Sequence, residues 1–350
     1  MNTKKITSLL LLLFISIVSF GQVSVGKTHI GKPKKIKPEI FDRFKKSTTI
    51  FVLSNVHEKS KYKEILDEVW TVSPYKLVDE SDFNYQDYYF GNYSVGKLDG
   101  YTSSYRMKNG TLVERMHVYL DIYLYQNESD LKKIAKGKKT KEEILKKLKN
   151  PKHHDIARVQ LSANWEFIAL ALNTAGTTSN DIYQMVYNDE IATNNSLGFF
   201  KNNMQKINAL IQKEERYWLY DTDSKDSELK KLATGTLYVP DNIKQYFRMM
   251  KNRKDPSAEA QLKKMKDGFE KAYPYKYEII EPAKLDQMIL DEKPIYYLRF
   301  AFVNGQKFIH VVNAQTGEVV FRKYKKASLS FSLKEKHIKA ISKAVKKAAK

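Results

Sequence analysis

The residues best suited to chemistry are few and scattered. His153-His154-Asp155 is the densest set of metal-ligand types in the chain. Adjacent histidines do not share a helix face as an i, i+4 pair does, and no third ligand follows at metal-site spacing. The run therefore reads as an exposed loop, with Asp155 capping the next helix. The chain has no cysteine, which removes thiol nucleophiles, disulfides and a lipidated cysteine together. No Gly-x-Ser-x-Gly elbow presents a serine, and Gly91 to Gly100 lacks both the Lys-Ser/Thr pair and the strand-to-helix setting of a phosphate loop. Carboxylate pairs for acid–base work would have to come from Asp79, Glu80 and Asp82, or from Asp121, beside a Tyr-rich stretch, Tyr85–Tyr105, that could floor a sugar cleft. Tyrosine alternating through strands and an acid at a helix start are equally ordinary structural features. No catalytic, cofactor or metal constellation emerges. A secreted hydrolase using paired carboxylates on envelope or extracellular polymers stands as the alternative to a non-enzymatic protein.

Charge is the clearer signal. The formal net charge is +21 over 350 residues, and it is concentrated. Lys27–Lys46 holds eight basic and two acidic residues, Leu131–Lys152 ten and two, and Arg322–Lys350 eleven and one, so the remainder of the chain is slightly acidic. Such patches either form a solvated face or attract an anionic surface such as lipid head groups or an acidic glycan, or else an acidic protein. The candidate contacts are the lysines of the C-terminal segment: Lys334, Lys336, Lys339, Lys343, Lys346, Lys347 and Lys350. The excess is lysine rather than the arginine that favours bidentate phosphate contacts, and export sets nucleic acid aside.

Export is read from the N-terminus. Lys4 and Lys5 precede the apolar run Leu9–Val18, too short to span a bilayer, and Ser19-Phe20-Gly21 offers small residues for cleavage. The expected compartment is the periplasm or the extracellular space, with no transmembrane segment left after cleavage.

These residues must be positioned by alternating strands and helices. Residues 22–47, with Gly26, Gly31, Pro33 and Pro38 among lysines, read as a basic flexible lead-in. Thr48–Leu53 reads as a buried strand. Tyr62, Ile65, Leu66, Val69 and Trp70 mark a helix that Pro74 ends, Asp87–Phe90 a strand, and Asn109-Gly110 a hairpin turn into the half-buried strand Leu112–Tyr125. Four helices are expected next: Asp130–Leu148, which Gly137 could divide in two, then Asp155–Thr174, Asn180–Ile191 and Ser196–Glu215. From Thr236 the opening pattern returns, with Pro274-Tyr275-Lys276 repeating Pro74-Tyr75-Lys76 and Tyr296-Tyr297 standing where Tyr88-Tyr89 stood. A three-stranded meander with turns at Asn304-Gly305 and Gln315-Thr316-Gly317 closes the second half. Leu329, Phe331 and Leu333 suggest an edge strand of the kind an assembly factor would use. Trp70 and Trp165 read as core, and Trp218 as a cover over the junction of the halves.

The fold expected is α+β: two related α/β units, each strand-helix-strand plus an antiparallel meander, with a helical insertion between them. The divisions are 1–21 signal peptide, 22–47 lead-in, 48–128 first unit, 129–216 helical insertion, 217–327 second unit and 328–350 basic tail helix. Phe20-Gly21-Gln22, Thr236-Leu237-Tyr238-Val239-Pro240, Pro274-Tyr275-Lys276-Tyr277-Glu278, Pro294-Ile295-Tyr296-Tyr297-Leu298 and Val312 to Val319 resemble uncharacterised exported proteins of Bacteroidota. That resemblance implies an envelope setting and a tandem α/β layout, without an assigned activity. The hairpin Asn313–Val320 is also similar to the β-turn of PepSY-type secreted modules.

Overall fold

The computed structural model describes residues 23–27, 34–106, 108, 110, 112–164, 166–168, 170, 178–247, 257–326 and 333–350. The leader, Trp165 and the residues Leu329–Phe331 lie outside them. The first unit contains β1 (Val23–Val25), α1 (Pro38–Lys46), β2 (Thr48–Val52), α2 (Lys59–Val69), β3 (Tyr75–Leu77), α3 (Tyr85–Tyr89), β4 (Tyr93–Arg106), β5 (Leu112–Tyr125), α4 (Glu128–Ala135), α5 (Lys141–Lys147) and β6 (His153–Gln160). Helices α6 (Ser179–Asn188) and α7 (Leu197–Gln212) follow. The second unit contains β7 (Asp223–Ser224), α8 (Asp226–Leu229), β8 (Leu237–Pro240), α9 (Ala258–Ala272), β9 (Tyr277–Ile280), α10 (Pro282–Leu290), β10 (Tyr296–Val303), β11 (Gln306–Asn313), β12 (Val319–Lys325) and α11 (Glu335–Ala348).

Two six-stranded sheets result, and their strand orders match position for position: β1-β6-β5-β4-β2-β3 and β7-β12-β11-β10-β8-β9. In each, the strand next to one edge runs parallel to both neighbours, β2 with β3 and β4, and β8 with β9 and β10. The remaining pairs are antiparallel. The protein is thus an α+β chain of two related α/β units with helices between them.

Local chemistry explains most of the elements. Tyr62, Ile65, Leu66 and Val69 form the buried stripe of α2. Gly137, at φ +63°, separates α4 from α5, and Thr140 opens α5 with a reciprocal capping box to Glu143. Asn304 and Gly305, at φ +51° and +80°, make the tight turn of the β10–β11 hairpin.

Several expectations are corrected. The lead-in is structured: Val23 and Val25 are fully buried in β1 against β6, and Pro38 is the first residue of α1, whose Phe41 and Phe44 enter the core. Proline fits there because the first helical amide needs no partner. The helix expected over Asp155–Thr174 is replaced at its start by β6, so the first sheet draws a strand from within residues 129–216. Ile156 and Val159, three residues apart, match the helical period, whereas the cross-strand pairing of Arg158 with Asp121 belongs to the strand alone. Asp155 therefore caps no helix. Tyr88 and Tyr89 lie on α3, so the counterpart of the β10 opening at Tyr296 is the β4 opening at Tyr93. The Pro-Tyr-Lys identity is two residues out of step with the edge strands, which start at Tyr75 and Tyr277.

Alternation along the second sheet gives it two unlike faces. One sends Tyr296, Leu298, Phe300, Ile309 and Val311 to a core shared with α9 and α11. The opposite face turns toward α7 and the first unit. Helix α7 joins the two: Phe200, Met204, Ile207, Leu210 and Ile211 enter the first unit's core, while Asn202 and Asn203 bond to the second unit and Lys201 reaches both.

Candidate functional site

Helix α11 is a docked element. Ile338, Ile341 and Val345 are fully buried in the second unit's core, and Ser342 hydroxyl donates to the Ala272 carbonyl. At about 1.5–3 kcal/mol per buried aliphatic side chain, this stripe holds the helix firmly. The opposite side is lysine. Lys334, Lys336, Lys339, Lys343, Lys346, Lys347 and Lys350 are all exposed. Two have acids nearby: Lys339 lies 4.0 Å from Glu335 and Lys347 3.3 Å from Asp226.

Three further lysines, not singled out in the sequence, lie on the sheet face beneath the start of α11, and one of them, Lys307, is buried. Lys307 of β11 sits directly opposite Lys325 of β12, and Lys323 is two residues before it on the same face. Like charges set directly across a ladder are destabilising. That face is the one α11 covers, and its first turn, with Lys336 and His337, lies over the same strand ends. His337 is buried and accepts the Lys334 amide at Nδ1, 3.1 Å away. Burial, with Lys307, Lys336, Lys323 and Lys325 around it, holds the imidazole down to about 4. Burial and the neighbouring Lys334, Lys336 and Lys325 lower Lys307 to about 8. The amide ends of α11 add a partial positive charge. Glu335 is the one acid in that first turn. The spacing Lys323-x-Lys325 signals one strand face, but nothing near Lys307 in the sequence announces its neighbours.

The second basic segment is also surface. Lys132, Lys136, Lys138, Lys139, Lys141, Lys146, Lys147, Lys149 and Lys152 are exposed around α4 and α5. This lobe is anchored by Ile144 against Tyr89 and Tyr125.

The carboxylates considered for hydrolysis are dispersed. Asp79 pairs with Lys59 at 2.8 Å, and Asp121 takes Arg158 bidentately at 2.5 and 2.6 Å. The Arg158 guanidinium stacks 3.7 Å from the Tyr119 ring centre. None of Asp79, Glu80, Asp82 or Asp121 lines the recess found beside β10, which is bounded by Thr193, Phe199, Asn242, Ile243 and Arg299 among others. His153 engages Asp155 and His154 engages Glu128, at 3.1 and 3.0 Å. Lys97 is a chemistry-bearing group the sequence did not mark. Its ammonium donates to Tyr183 hydroxyl at 3.1 Å and lies over the Tyr183 and Phe83 rings, and burial lowers its pKa.

Between the units lies a buried cationic layer. Arg299, His310, Arg322 and Asp223 form one row across β10, β11, β12 and β7. Arg299, His310 and Arg322 are 2%, 1% and 1% exposed. Arg322 is satisfied by Asp223, at 3.0 and 2.8 Å, and by the Trp218 carbonyl. Arg299 donates to Asn203 on α7 at 3.1 Å.

The fold and these surfaces define a class, a two-unit α+β protein with segregated cationic faces. Compared with models of known protein families and with curated protein sequences, the chain matches none.

Proposed function

We propose that this is an exported, non-enzymatic interaction protein that engages anionic lipid head groups or an acidic glycan through the lysine face of α11 and the adjoining ends of β11 and β12. The observation that carries the reading is the convergence of Lys307, Lys323, Lys325 and Lys336 on the start of α11, with Glu335 as the one acid of that turn. Cations held this close, with a lysine pKa already lowered by burial and its neighbours, gain from a multivalent anion that shares their charge. The apolar stripe of α11 holds the exposed lysines on a fixed surface, so ordering them at a partner costs less side-chain and backbone entropy than ordering a loose tail.

The test is cosedimentation of the full chain with phosphatidylglycerol-containing and with pure phosphatidylcholine vesicles, at low and high salt. Deleting residues 334–350 would strip Ile338, Ile341 and Val345 from the core, so the informative variant is the triple change Lys336→Gln, Lys339→Gln, Lys343→Gln. At about 1 kcal/mol per lysine near an anionic surface, it weakens binding roughly a hundredfold. Binding to the anionic vesicles should also fall with salt. Negligible low-salt binding to both vesicle types and to an acidic glycan preparation would remove the proposal.

A further inference from the structure

The lysine lobe of α4 and α5 is the less neutralised of the two basic surfaces, because its own acids are engaged. Glu128 is held between Arg43 and His154, at 2.6 and 3.0 Å, and Asp130 between Lys133 and the Tyr89 hydroxyl, at 2.7 and 2.9 Å. Glu142 and Glu143 sit in the first turn of α5, where Glu143 closes the capping box with Thr140. Among the described residues, Lys133 is the one lysine of the lobe in an ion pair, and the nine exposed lysines around it have none. In their midst Leu131 is 41% exposed beside Lys132, one of three large apolar side chains exposed among the described residues. Lysine alone suits any polyanion. Lysines around an exposed leucine suit the boundary of head groups and acyl chains, where the charges meet phosphate and the apolar side chain leaves water.

Alternation along the strands places this lobe and α11 on opposite outer sides. In the first sheet, Val95, Tyr123 and Tyr125 turn toward α4 and α5, whereas Leu120, Ile122 and Leu124 enter the core that receives Phe200, Met204 and Ile207 of α7. In the second sheet, Tyr297 and Arg299 bond to Asn202 and Asn203 of α7, whereas Tyr296, Leu298 and Phe300 pack with α11. Helix α7 thus lies between the sheets, and each lysine surface covers the side of its sheet turned away from it.

We propose that the lobe of α4 and α5 is a second contact for anionic phospholipid bilayers, and that the protein bridges two such bilayers, one on each outer side. The inference rests on α11 binding lipid head groups. Both surfaces are fixed to folded units, the lobe by Ile144 against Tyr89 and Tyr125 and α11 by its buried stripe. A bilayer held by α11 therefore leaves the lobe pointing away from it, where it meets another.

The test mixes the full chain with two populations of phosphatidylglycerol-containing vesicles, one labelled with a donor dye and one with an acceptor. Energy transfer reports clustering, and cosedimentation reports binding. The wild type should do both, and clustering should fall with salt. The triple variant Lys136→Gln, Lys138→Gln, Lys139→Gln changes only exposed side chains, and it should weaken the lobe's contact roughly a hundredfold. It should still sediment through α11 but no longer cluster. Leu131→Gln should raise the protein concentration needed for clustering about tenfold. Wild type that sediments without clustering, or a lobe variant that clusters like the wild type, overturns the bridge and leaves the α11 contact standing. An unchanged Leu131→Gln overturns the bilayer as the lobe's partner. Sedimentation that the lobe variant loses and the α11 triple variant keeps in full removes the α11 contact, and the bridge with it.

Discussion

Single residues in this protein carry charge in unusual places, and pH should expose them. His337 is 3% exposed, and burial among Lys307, Lys336, Lys323 and Lys325 keeps its pKa near 4. An unfolded histidine titrates near 6.5, so between about pH 6.5 and 4 the unfolded chain binds a proton that the folded chain refuses. Stability should therefore fall as pH falls through that window, by up to roughly 3 kcal/mol from this residue. His310, also pushed down by burial and by Arg299 and Arg322, acts in the same direction. Urea midpoints at pH 7 and pH 4.5 should differ less in His337→Asn than in the wild type; an unchanged difference would show that the residue is not the source. Lys307 extends the argument to high pH. Its pKa, lowered to about 8, makes stability rise as pH climbs from there toward the ordinary lysine value near 10.5. Substituting Lys307→Met should flatten the alkaline rise.

At the scale of elements, α7 is the informative one. Its apolar stripe and its Ser196 cap, which accepts from the Phe199 amide at 3.4 Å, are legible in the sequence, and the helix expected over Ser196–Glu215 is observed as Leu197–Gln212. Its polar side was not assigned a task by the sequence. Asn202 accepts from Tyr297 hydroxyl and donates to the Ala314 carbonyl, at 2.9 and 2.7 Å. Lys201 reaches Glu68 in the first unit and Glu292 in the second, at 2.6 and 3.3 Å. Asn208 accepts both the Thr71 and Val72 amides, at 2.8 and 3.1 Å. Asn208→Ala leaves those amides without their acceptor and should cost about 1–3 kcal/mol, seen as a lower urea midpoint. Lys346→Gln, on the exposed side of α11, should change it by no more than about 0.5 kcal/mol. A silent Asn208→Ala would mean that the linker after α2 does not depend on α7.

For the whole molecule, the two sheets share one strand order and are joined by α7, by the Val25–Tyr217 bridge and by contacts such as Leu219 amide to Ser24 hydroxyl at 3.2 Å. The joint is tight enough that Gly317, at φ +67°, has no room for a Cβ, which would sit 2.3 Å from the Asn202 carbonyl oxygen. The units should therefore unfold together. Tryptophan fluorescence, which includes Trp218 at the junction, and far-UV circular dichroism should give coincident denaturant transitions. Two separated transitions would show that the interface does not couple them. The sequence alone determined the amphipathic helices, the antiparallel meander with its Asn-Gly turn, the α+β class and the lysine-rich C-terminal helix, because period, turn residues and charge runs are local properties. Only the tertiary structure decided that Val23–Val25 and His153–Gln160 are paired strands, that Lys307 stands beside Lys323, Lys325 and α11, and that Arg299, His310 and Arg322 share a buried row. Each of those depends on partners distant in the chain, such as Asp121 for Arg158, and short apolar or basic segments carry no record of which distant surface will cover them.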